Sequence, residues 1–153
     1  MNDLTMADLI HDFLFDSARR TPAAEALVHG AQRLDYAALA GAVMQAAGAL
    51  VDAGVQPRAR ALPCSPKKRV ENVAAMFGAA AAGAVFVPVN PQLKPEQVAH
   101  ILADCNVRVL LTSPERLAQL GAALDACPDL RSVFVTGGAD INGARAGKRP
   151  SAR

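Results

Sequence analysis

Tryptophan is absent from this chain, tyrosine occurs once and phenylalanine five times. Platforms on which bases stack are therefore lacking, and 16 basic residues against 14 acidic ones leave no electrostatic excess to hold a polyanion. No nucleic-acid partner is expected. The three cysteines, Cys64, Cys105 and Cys127, form no C-x-x-C pair and lie near no histidine cluster, which argues against a disulfide framework or a structural zinc. A reducing, cytoplasmic setting fits this usage. No apolar run is long enough to span a bilayer: the alanine-rich stretch after Phe77 is short, and Gly83 interrupts it. Near the start, Asp3 and Asp8 interrupt any signal-like apolar segment.

What is present is a core. A 153-residue chain that is 52% hydrophobic suffices for one domain with a real interior. The best-specified stretch runs from Val70 to Leu111. Val70, Val73, Ala74, Phe77 and Ala81 recur at helical spacing, and Ala79 to Ala82 are small enough to let that helix press close to a sheet. Gly83 closes the helix. The β-branched run Ala84 to Val89 predicts a strand buried on both faces, ended by Pro88 and Pro91. Pro95 suits a first helical turn, and Val98, Ile101, Leu102 and Cys105 share one face of the helix that Asn106 stops. Val107 to Thr112 is again a strand pattern. Two strands joined through a helix make a parallel crossover unit.

The flanking segments are read in the same way. Leu9, Ile10, Phe13 and Leu14 cluster on a first helix ended by Thr21-Pro22. Ala26-Leu27-Val28 and Gln32-Arg33-Leu34 flank a His29-Gly30-Ala31 turn and predict a hairpin. Asp35 is placed to cap a helix whose apolar face takes Leu39, Val43, Ala46, Leu50 and Val51, with Gly54 as its stop; Gly41, Ala47 and Gly48 suggest close packing. Ser113-Pro114-Glu115 starts another helix, with Leu117, Leu120 and Leu124 as its stripe. Ser132 to Thr136 predicts a further strand, and residues 137–153 read as a flexible basic tail.

The phrase from Met76 to Pro91, MFGAAAAGAVFVPVNP, followed by Lys94-Pro95-Glu96-Gln97 and Val107-Arg108-Val109-Leu110, resembles the N-terminal part of AMP-forming acyl-CoA synthetases, the family that includes adenylation domains and luciferases. His11-Asp12-Phe13, Arg20-Thr21-Pro22, Glu25 to Val28 and Leu34 to Leu39 fall in the family's order. A narrower likeness is to bacterial acyl-CoA ligases associated with exosortase and exopolysaccharide gene clusters. The resemblance covers Leu9 to Val135. It implies an α/β fold, a three-layer αβα unit with a mostly parallel sheet, in which residues 1–136 are part of the adenylate-forming large domain. It also implies a parental reaction in which ATP adenylates a carboxylic acid and the acyl group passes to coenzyme A, with Mg supporting the ATP chemistry.

One stretch departs from the family's pattern. Between Pro57 and Lys68, where the family has a buried apolar strand, this chain reads RARALPCSPK. Pro63 and Pro66 make it a poor central strand, since each removes a ladder donor. Either a segment read out of frame or a proline-containing surface loop accounts for it, and the sheet is expected to lack this strand or to carry it badly formed. Unpaired edges would then favour self-association or aggregation.

The candidate chemical groups reduce to structural readings. His11 beside Asp12 reads as a surface histidine, Cys105 as a buried structural thiol, and Cys64 as a thiol among Lys and Arg residues without a partner base. Gly138, Gly143, Gly147 and Lys148 lack phosphate-loop spacing. The family's Ser/Thr/Gly-rich loop ending in Pro-Lys-Gly, its ribose-binding aspartate and its C-terminal lysine have no counterpart here. No catalytic, cofactor-binding or metal residue is therefore assigned, and no cofactor is expected to bind this chain alone. A separate chain carrying the rest of the ligase is the partner the resemblance suggests; a stand-alone regulatory module is the alternative.

Overall fold

The computed structural model describes residues 9–64, 70–135 and 147–148, with backbone alone at 62–64 and 147–148. Helix α1 (Ile10–Arg20) leads into a two-stranded antiparallel hairpin, β1 (Glu25–His29) and β2 (Gln32–Asp35), and then into helix α2 (Tyr36–Asp52). The Asp35 carboxylate accepts a hydrogen bond from the Ala38 amide at 2.7 Å, so the expected cap forms. Strand β3 (Arg60–Cys64), helix α3 (Val70–Ala81), strand β4 (Val85–Phe86), helix α4 (Pro95–Asp104) and strand β5 (Val107–Thr112) follow. Helix α5 (Pro114–Leu120), a 3-10 turn at Gly121–Ala126, strand β6 (Ser132–Val135) and strand β7 (Gly147–Lys148) complete the described elements.

The main sheet has the order β4-β3-β5-β6-β7, parallel from β4 through β6, with β7 antiparallel at the far edge. The hand of parallel crossovers dictates the layers. The chain steps outward from β3 to β4 through α3, then reverses past β3 to reach β5 through α4, and continues the same way to β6 through α5. Because each crossover is right-handed by default, the reversal puts α3 on one face and α4 and α5 on the other.

The buried clusters follow these layers. On the first face, Leu50 of α2 and Ala75 and Ala79 of α3 cover Ala61, Val109, Leu111 and Phe134. On the second, Val98 and Leu102 of α4, with Leu120 and Leu124, cover Val107, Leu110 and Val133. A third cluster lies outside the first layer, where Leu14 of α1 meets Leu39, Val43 and Ala74. Strict alternation would put Val107, Val109 and Leu111 on one side. A bulge prevents it: Arg60 pairs with Val107 but Ala61 pairs with Val109, so Arg108 is an extra residue and Val107 joins the face of Leu110.

The segment 60–64 is a strand, and a central one, which corrects the reading of this stretch as a surface loop or missing element. The position of Pro63 explains how. The carbonyls of Ala59 and Ala61 accept from Val85 and Val87 of the β4 segment, so by the two-residue period the absent Pro63 donor also faces the β4 side. The β4 ladder pairs only Arg60 and Ala61, so Pro63 lies past its end and removes no bond there. The part of that stretch at 65–69 lies outside the described residues.

Two further corrections concern exposure. β4 is short and forms a sheet edge, with Val85 50% exposed, so this strand is not buried on both faces. On α1 only Leu14 is buried, whereas Leu9, Ile10 and Phe13 face solvent. Val51 of α2 is also exposed.

Close helix packing occurs at a glycine other than those singled out. At Gly78 of α3 a Cβ would stand 2.7 Å from Ala46 Cβ and 3.1 Å from the Val43 carbonyl oxygen, whereas Gly41 and Gly48 have open space beside them. Gly78→Ala is therefore expected to destabilise the chain by about 1–3 kcal/mol through overpacking against the α2 backbone. Gly48→Ala, which only improves helix propensity, should stabilise it by about 0.5–1 kcal/mol. Urea unfolding of both variants checks the contrast; equal effects would remove the α2–α3 contact from the account.

Candidate functional site

The reversal in strand order occurs at β3, so the switch point of this sheet lies between β3 and β5. In open parallel sheets ligands bind in the crevice at the carboxyl ends of such strands. The polar composition of the interior points to the same place. Among the described residues, the buried polar or charged side chains are Thr112, Ser113 and Arg116, at the carboxyl end of β5 and the start of α5.

Local sequence explains this cluster. Ser113 Oγ caps α5 by accepting from the Arg116 amide at 3.2 Å, and Pro114 fills the first turn. That start places Arg116 four residues before Leu120, so both project from the buried face. The Arg116 side chain is 6% exposed. Its Nη1 donates to Gln119 Oε1 at 3.0 Å, its Nη2 donates to the Leu93 carbonyl in the loop before α4, and its Nε is buried without a partner among the described residues. One guanidinium thus ties the β4–α4 connection to α5 beside the crevice. Sequence reading missed this residue, although its place on the Leu120 face was the available signal.

The groups weighed from sequence do not converge there. His11 is not a surface histidine, since its side chain is only 14% exposed. It stacks edge-on against Phe15 at 5.9 Å, its Nε2 is 3.7 Å from Asp12 Oδ1, and its Nδ1 is buried without a partner among the described residues. Cys105 is half-buried at the end of α4, and its carbonyl accepts from Arg60 Nη1 at 2.9 Å. The Cys64 side chain, together with Gly138 and Gly143, lies outside the described residues. Gly147 and Lys148 pair antiparallel with Val133 and Ser132.

A second polar feature occupies the opposite end of the sheet. Gln56, Arg58, Arg60, Asn106 and Arg108 line an open depression of about 260 Å³ at the amino ends of β3 and β5.

Comparison with known proteins now defines the class. Residues 14–150 match the AMP-binding enzyme family, and the chain belongs to that family. It is 39% identical over 109 residues to a feruloyl-CoA synthase of Amycolatopsis sp, a span of 71% of this chain and 22% of that protein. To the anguibactin system regulator of Vibrio anguillarum it is 34% identical over 104 residues, covering 68% of this chain and 10% of the regulator. The anthranilate CoA ligase AuaEII, solved with anthranoyl-AMP, superposes with a TM-score of 0.80 at 26% identity, over 89% of this chain and 26% of the ligase. The chain therefore spans a quarter or less of the curated relatives described.

Among the described residues no side-chain set suited to the Mg of the parent family is found. The described residues contain no group of three or more His, Cys, Asp or Glu able to hold a metal ion, and the sequence has no loop ending in Pro-Lys-Gly. No catalytic step is derived through the family's ATP, Mg or coenzyme A. Among the described residues no helix is long and apolar enough to cross a membrane.

Replacing Arg116 by Met keeps most of its volume but leaves the Leu93 carbonyl without this donor. A loss of about 1–3 kcal/mol is expected. Arg116→Lys should recover little of it, because one ammonium cannot reproduce the planar fork that reaches Gln119 and Leu93 together. Thermal melts of the two variants test this, and full rescue by lysine would reduce the role of Arg116 to charge alone.

Proposed function

We propose that this chain is the N-terminal portion of an AMP-forming acyl-CoA ligase and that by itself it catalyses neither adenylation nor thioester formation. Coverage carries the reading: 89% of the chain superposes on 26% of an anthranilate CoA ligase, so most of the length of such an enzyme has no counterpart in this chain. The parental reaction is adenylation of a carboxylic acid by ATP with Mg, followed by transfer of the acyl group to coenzyme A. The cytoplasm is the proposed setting. Within the family, the narrower reading is a likeness to bacterial acyl-CoA ligases associated with exosortase and exopolysaccharide gene clusters.

The second reading, one chain of a split ligase, is favoured by an open edge. β4 ends the sheet with Val85 exposed, and Leu9, Ile10 and Phe13 present apolar surface on α1. Such surfaces suit a complementary chain, and without one they favour self-association. An interaction module acting without any complementary chain remains the alternative from another class.

An ATP–pyrophosphate exchange assay with a panel of aryl and fatty acids tests these readings. The chain alone is expected to give no exchange above background. Exchange restored by the product of an adjacent reading frame would establish the split ligase, whereas exchange by the chain alone would overturn the proposal.

A further inference from the structure

We infer that the depression at the amino ends of β3 and β5 is a binding site for a compact phosphoryl anion of the diphosphate class. The inference does not rest on the ligase reading. It concerns the end of the sheet opposite the switch-point crevice, on the order of 17 Å away along a six-residue strand.

Three arginines, Arg58, Arg60 and Arg108, line the depression together with Gln56 and Asn106, and no acidic residue is among the described lining residues. Arg60 spends one N–H on the Cys105 carbonyl at 2.9 Å. The side chains of Arg58 and Arg108 make no hydrogen bond or ion pair with the described residues, although the Arg58 amide donates to the Gly83 carbonyl and the Arg108 carbonyl accepts from the Arg131 amide. The Asn106 side chain is held from outside the lining, its Nδ2 donating to Asp129 Oδ2 at 3.0 Å. Three arginines therefore gather with no acidic residue among the described lining residues.

The backbone is a separate observation. Among the described residues, the non-glycine positions with left-handed φ are Arg58 at 65° and Asn106 at 48°, and both belong to this wall. Asparagine tolerates that conformation, but arginine is disfavoured there and glycine would adopt it freely. An arginine held at a glycine position is the kind of local strain that marks a side chain kept for binding.

Size and geometry select the ligand. A volume of about 260 Å³ falls below the range usual for drug-sized organic ligands, and the charged lining is wrong for an apolar one. Guanidinium forks pair bidentately with phosphate oxygens, and a diphosphate offers separate oxygen pairs to Arg58 and Arg108.

Isothermal titration with inorganic pyrophosphate at constant ionic strength, paired with amide chemical-shift mapping, tests the site on the intact chain. Saturable one-to-one binding is expected, with shifts at Arg58 to Arg60 and Asn106 to Arg108. Arg58→Gly and Arg108→Gln should each weaken binding at least tenfold, the glycine variant without loss of melting temperature because it relieves the backbone. Citrate should bind at least tenfold more weakly than pyrophosphate. Unchanged affinity in the double variant, equal binding of citrate, or the same response to sodium chloride at matched ionic strength would overturn the inference.

Discussion

The structure depends on keeping both faces of β5 from water at once. Val109 and Leu111 need a cover on one side, Val107 and Leu110 on the other, and no single helix reaches both. Two helical layers are therefore required, and the right-handed crossover rule supplies them only if the chain reverses direction between its second and third parallel strands. That reversal makes β3 the neighbour of β5. The same event that buries the sheet thus creates its switch point.

Placement of polar groups follows from this arrangement. Where α5 leaves the carboxyl end of β5, the chain buries Thr112, Ser113 and Arg116 in an otherwise aliphatic interior. Arg116 joins the loop before α4 to α5, two pieces on the same face that share Leu120, Val98 and Leu102 in one cluster. At the other end, α2 hands over to β3 through Gln56 to Ala59, and the arginines there meet Arg108 because the bulge adds a residue at that height. Each end of the sheet has its own polar character, set by which connections arrive there.

Much of this was legible in the residues. The caps at Asp35 and Ser113, the first-turn prolines of α4 and α5, the hairpin and the β-branched run of β5 are local signals, and the structure forms each of them. Resemblance to adenylate-forming enzymes gave the layer architecture that local pattern could not. What escaped was non-local. Pro63 argues against a central strand until the short ladder of β4 is known to end before it. Ala84 to Val89 looks like an inner strand because composition does not distinguish an edge from a centre, and the strand order puts β4 at an edge. Gly78 differs from Gly41 and Gly48 in being the glycine pressed against the neighbouring helix, and His11 is packed edge-on against Phe15 one turn along its own helix.

The bulge at Arg108 has a consequence for chain length. Side chains on either side of it are assigned to opposite faces by the count of residues and not by their chemistry. Trimming one residue there would restore plain alternation and rotate Val107 out of the α4 cluster into the α2–α3 cluster, or slip β5 along β3. The exposed side chain at 108 contributes to neither interior, but the residue itself cannot be left out. In a graft or a shortened scaffold, this is the place where spacing outweighs identity.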